Sequence, residues 1–144
     1  MQTDIQESCD RIEAGYEFML SYAAQGLLTD EGSPSGKQLR EHLARISEAL
    51  RGLDESCADL MKAEQPAPAD RCQAFFEVLA RDAHNALAVV ELVLAQPAIS
   101  SQLIDNLNAS MHVRALLTDL FLITEILELR RAQAKFSLQA DLRA

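Results

Sequence analysis

Glu13, His84, His112 and Asp119 are side chains of types that could hold a transition metal or move a proton. If the helices described below pack side by side, a rise of about 1.5 Å per residue puts His84 and His112 at one height. That height is about 18 Å from the end carrying the Gly26–Ser35 loop, and Glu13 falls about 19 Å from it. Asp119 follows His112 by seven residues, two turns along the same helix face. Carboxylates and imidazoles at one level of a helical bundle are the construction used by di-metal carboxylate proteins. Those proteins carry Glu-x-x-His on two helices, and this sequence contains no Glu-x-x-His. His84 also shares its face with Glu77, Arg81 and Glu91, the composition of a solvated, ion-paired side. The four residues are the metal candidates of an alternative reading; surface histidines paired with acids are the competing account.

Other chemistry has less to work with. Cys9, Cys57 and Cys72 fall on apolar seam positions near the opposite end, as free cysteines serving as small hydrophobes do. They form no C-x-x-C clamp. A Gly-x-Ser-x-Gly elbow is missing. Gly32-Ser33-Pro34-Ser35-Gly36-Lys37 loosely resembles a phosphate loop but lacks its spacing and a preceding strand, and a turn followed by a helix cap accounts for every residue. A cleft near Lys37 and His42 is the remaining enzymatic option. No catalytic residue is assigned, and no cofactor is expected unless the metal reading holds.

The totals narrow the classes further. The 144 residues are one domain's worth, and 49% hydrophobic content is enough for a core without staples. With no Trp and only 5% aromatics, there are few platforms for stacking bases. A net charge of −9 opposes both nucleic acid and anionic membranes, which are bound through Lys and Arg. The longest apolar stretch, Ala115 to Leu129, is interrupted by Thr118, Asp119, Thr124 and Glu125, so no membrane span is expected. The acidic start and three unpatterned cysteines fit a reducing cytoplasm.

Four long stretches carry apolar residues at spacings of three and four, which predicts an all-α, up-down-up-down four-helix bundle. Helix one covers about 4–25 on the seam Ile5, Cys9, Ile12, Tyr16, Met19 and Ala23, with Thr3 and Gln6 as a capping box and Gly26 past its end. Helix two covers about 36–64, opened by a Ser35–Gln38 box, with Gly52 as a weak spot or a close approach. Helix three covers about 69–95, with Cys72, Phe76, Leu79, Ala83, Ala86, Val90 and Val93 on its seam. Helix four starts at Ser100 or Ser101 and passes Arg131, on Val113, Leu116, Leu120, Ile123 and Leu127. Residues 1–131 are read as a single domain and 132–144 as a helical extension or frayed tail. In architecture alone the chain resembles small acidic helical proteins such as secretion chaperones, phasins and ferritin-like bundles; architecture does not carry function.

Helices three and four hold more apolar surface than one bundle face needs. They are either the most buried pair or half of an interface. Arg114, Thr118 and Glu125 then mark either a solvent strip or polar contacts fixing register across a dimer. The function expected is that of a non-enzymatic adaptor, chaperone or regulator, a cytoplasmic homodimer with a protein partner and no nucleic acid or membrane. The alternative is a metal- or small-ligand-binding bundle with a redox or sensing role.

Overall fold

Heptad-like spacing is realised as helix throughout. The computed structural model describes residues 4–143. It is all-α, with six helices and no strand among the described residues: α1 (Asp4–Ala23), α2 (Pro34–Arg51), α3 (Leu53–Glu64), α4 (Ala69–Leu94), α5 (Ser101–Ala109) and α6 (His112–Arg143). Four were expected. The two extra elements arise because two of the expected helices are each interrupted once.

The first break is at Gly52, which ends α2 and begins α3 with φ −88° and ψ −5°. Its carbonyl still accepts from the Ser56 N–H and hydroxyl, both at 3.0 Å, so the helix resumes at once. A Cβ here would meet nothing closer than the Ala49 carbonyl oxygen at 3.8 Å. Gly52 is therefore a weak spot rather than a close approach. Gly52→Ala should stabilise the fold by about 0.5–1 kcal/mol, because Ala accepts this conformation and has less unfolded-state freedom to lose. Thermal unfolding checks it; a lower midpoint would show that the break itself is required.

The second break is at Ser110 and Met111. The Ser110 hydroxyl donates to the Leu107 carbonyl at 2.6 Å and closes α5, and Met111 takes a left-handed φ of 69° before α6 starts. A side chain tolerates that conformation only when its surroundings hold it there.

The helix start at the first loop is also displaced. Ser33, not Ser35, is the N-cap of α2, accepting from the Gly36 N–H at 3.4 Å. Pro34 then occupies the first turn, where its missing N–H costs nothing. Thr3, expected to cap α1, lies outside the described residues.

α1 packs on α2, α2 on α4, α4 on α6 and α6 back on α1, while α5 lies against α1. The expected seams fill the core: Ile5, Ile12, Met19, Leu39, Leu43, Ile46, Leu79, Val90, Leu116 and Leu120 are all buried. The close approach that glycine does permit is between α1 and α2, where a Cβ on Gly15 would lie 2.5 Å from Ile46 Cδ1. No helix is long and apolar enough to cross a membrane among the described residues.

Candidate functional site

Three features of this framework could carry function: the expected metal candidates, a polar cluster at the loop end, and the outer side of α6.

The metal candidates are not brought to one place. His84 is exposed and lies in a shallow groove between α2, α3 and α4, lined by Leu50, Arg51, Asp54 and Ala80. Glu13 is half-buried on α1 and adds to the field that raises the Cys9 thiol. His112 is half-buried at the first residue of α6. Among the described residues no group of three or more His, Cys, Asp or Glu side chains could hold a metal ion.

Asp119 instead meets a carboxylate that sequence spacing did not single out. It is half-buried on α6, and desolvation by burial, then the neighbouring Asp82 carboxyl of α4, raise its pKa to about 7. Buried beside a second carboxyl, Asp119 keeps its proton to higher pH, because a carboxylate there is costly. Between the ordinary value of 3.8 and about 7, the folded protein holds a proton that the unfolded chain has released. Stability therefore falls as pH rises through that window. Asp119→Asn should remove this loss, flattening the melting temperature against pH between about 4 and 7. An unchanged slope in the variant would show that Asp119 does not hold a proton in that window.

Two of the thiols, Cys9 and Cys57, are buried and inert. Burial pushes Cys9 up to about 11 and Cys57 up to about 12, far from the thiolate form needed for reaction. Cys72 is half-buried at the start of α4. His42 stacks on Phe18 with ring centroids 4.7 Å apart, and burial, then Arg45, lowers its pKa.

The polar cluster joins the α1–α2 loop to the α4–α5 connector. Asp30 is buried, and it accepts from Arg40 Nε at 2.5 Å and from the Ile99 N–H at 2.7 Å. Arg40 also donates to the carbonyls of Leu94 at 3.2 Å and Gln96 at 2.9 Å. The Tyr22 hydroxyl donates to the Ile99 carbonyl at 2.6 Å. Ser101 donates through its hydroxyl to the Tyr22 carbonyl at 2.7 Å and accepts there from the Leu27 N–H at 2.9 Å, while its own N–H donates to the Leu27 carbonyl. Leu27 is thereby held half-buried over the bundle end, leaving only Leu28 fully in solvent. Hydrogen bonds from Arg40 hold the Asp30 carboxyl below the ordinary range. These groups satisfy one another, and they fix two connectors.

The outer side of α6 is different. Val113, Leu116, Leu120, Ile123 and Leu127 point into the core. On the opposite side Leu122 is 51% exposed, Leu129 56% and Phe136 73%, with Ile126 on the flank. Beyond Leu127 the helix continues to Arg143, and residues 131–143 are all exposed. Arg131 is the last anchor to the body, donating to Glu64 of α3 at 2.6 Å. Arg114 and Glu125 are exposed beside this stripe, and Thr118 is exposed in line with it. On α4 the expected surplus is mostly absorbed: Phe75, Leu87, Val89 and Leu94 pack against the core, and Val78 and Leu92 stay out.

No family model, curated protein or solved structure matches the chain. The periodicity of α6 contained the signal of the outer stripe, since Leu122, Leu129 and Phe136 recur every seven residues out of phase with the core stripe.

Proposed function

We propose that the protein is a non-enzymatic helical interaction module, an adaptor, chaperone or regulator, working through the outer face of α6. The reading has it in the cytoplasm, as a homodimer or with a protein partner. Within it the six helices act as four antiparallel rods in up-down-up-down order, with α3 extending α2 and α5 leading into α6.

One observation carries the proposal: Leu122, Leu129 and Phe136 form a solvent-facing stripe on a helix whose other side already fills the core. Surface apolar residues scattered singly need no account, but a continuous stripe on one helix marks association. It runs onto more than three turns of helix, residues 132–143, that are exposed throughout. Helices of that length gain most of their stability from packing, which here a partner supplies.

A photo-reactive benzoylphenylalanine at position 136, activated in native cells, tests the proposal. The expected result is a discrete protein adduct, with Leu129→Glu abolishing it. A smear of low-yield products, or adducts indifferent to Leu129→Glu, would overturn the reading.

A further inference from the structure

We infer that the partner on this face is a second copy of the same chain, its α6 running antiparallel about a two-fold axis at Leu129. The inference rests on the reading above and names the occupant.

Isologous pairing needs a surface that is its own complement: whatever residue i meets, its equivalent must meet in return. On the outer face of α6, Thr118, Leu122, Leu129, Phe136 and Ala140 lie on one side at spacings of 4, 7, 7 and 4. That order reads the same in both directions from Leu129. An antiparallel copy centred there sets Leu129 against its equivalent, Leu122 against Phe136, and Thr118 against Ala140. Each large side chain opposes another, at about 10 Å either side of the axis. All five are exposed and free to make these contacts.

Charge selects the same direction. From residue 113 to 128, Asp119, Glu125 and Glu128 outweigh Arg114, a net of −2. From 130 to 143, Arg130, Arg131, Lys135 and Arg143 outweigh Asp141, a net of +3. Antiparallel pairing lays the basic half of one helix along the acidic half of the other; parallel pairing lays like on like. The remaining body is more acidic still, since residues 1–129 carry 9 Lys and Arg against 21 Asp and Glu, a net of −12.

The shape agrees. The body supports α6 only as far as Arg131, and the rest projects beyond it. In the antiparallel arrangement each projecting tail lies along the supported half of the partner helix. The two bodies then sit at opposite ends of the pair instead of competing for one space.

Sedimentation of the full chain across a dilution series should give a dimer. Leu129→Glu, which puts two carboxylates against each other at the axis, should weaken it by about 100-fold or more. Leu92→Glu, equally exposed but on α4, should leave it unchanged; both variants keep the helical circular dichroism of the parent. Direction is read by disulfide trapping in a Cys72→Ser background. Mixing Leu122→Cys chains with Phe136→Cys chains should give a 122–136 cross-link. A monomer at every concentration, a dimer that survives Leu129→Glu, or a dimer that traps 122–122 but not 122–136 would each overturn the inference. If the chain is monomeric while position 136 still captures a different protein in cells, the second copy is wrong and the interaction reading stands. If neither forms, both fall.

Discussion

Asp30→Ala should cost about 3–5 kcal/mol, lowering the melting temperature by roughly 10 °C. The carboxylate is buried and serves Arg40 and the Ile99 N–H together. Its removal orphans a buried N–H and leaves a guanidinium facing an empty site, and each loss is charged in full because no water replaces the partner. Arg40→Ala should cost less, since Arg40 is one-third exposed and Asp30 keeps its bond from Ile99. The pH dependence is opposite to that of Asp119. Arg40 lowers the Asp30 pKa, so this stability is fully present above the ordinary value of 3.8 and is lost as pH falls through the lower folded value. Chemical denaturation at neutral pH checks the magnitude. A loss under about 1 kcal/mol would mean the pair is as dispensable as a surface ion pair such as Arg51–Glu91.

Gly36→Ala should be as damaging for a steric reason. A Cβ at Gly36 would lie 2.1 Å from the Asp30 carbonyl oxygen and 2.6 Å from its Cα. Those are backbone atoms, unable to swing aside as the end of a side chain can. The α1–α2 loop must move, and Asp30 moves with it. We expect a loss of at least about 3 kcal/mol, at the upper end of overpacking costs because an ion pair is displaced as well. Combining Gly36→Ala with Asp30→Ala should cost clearly less than the sum, because both break the same contact. Additivity would show that the glycine matters for another reason. The contrast with Gly52 is a direct test of the distinction between space and conformation: the same substitution is expected to stabilise there and to disrupt here.

Much of this molecule was legible in its apolar spacing. Ile5, Ile12 and Met19 on α1, and Phe76, Leu79, Ala83, Ala86, Val90 and Val93 on α4, are buried where their period of three and four placed them. Periodicity is a local signal, and it failed where the decisive contact was not local. It ran through Gly52, where the interruption lasts one residue, and through Ser110–Met111, where a left-handed residue keeps the apolar phase almost intact. It could not foresee that Asp30 would reach Ile99, or Ser101 reach Tyr22, because those partners are 69 and 79 residues apart. The metal candidates are not gathered, for a related reason. Height along a rod says nothing of which direction each side chain takes around its helix. His84 pointed outward, and Asp119 turned toward Asp82. The surplus on α6 was visible as a second phase; that α4 would fold most of its own surplus inward depended on its neighbours.

The bonds around Asp30, Arg40, Tyr22 and Ser101 gather four chain segments at one end of the bundle. At the other end, where α3 meets α4, the bond from Arg131 to Glu64 is a single exposed ion pair. Mechanically the rods are tied by a polar network at one end and held mainly by packed side chains such as Ile5, Leu60 and Phe76 at the other, like tines fixed in a handle. Thermal motion will grow with distance from the network, and the amides of α3 and the first turns of α4 will exchange with solvent before those beside the loops. The tail of α6 leaves from that other end, so whatever grips the tail also grips the tines.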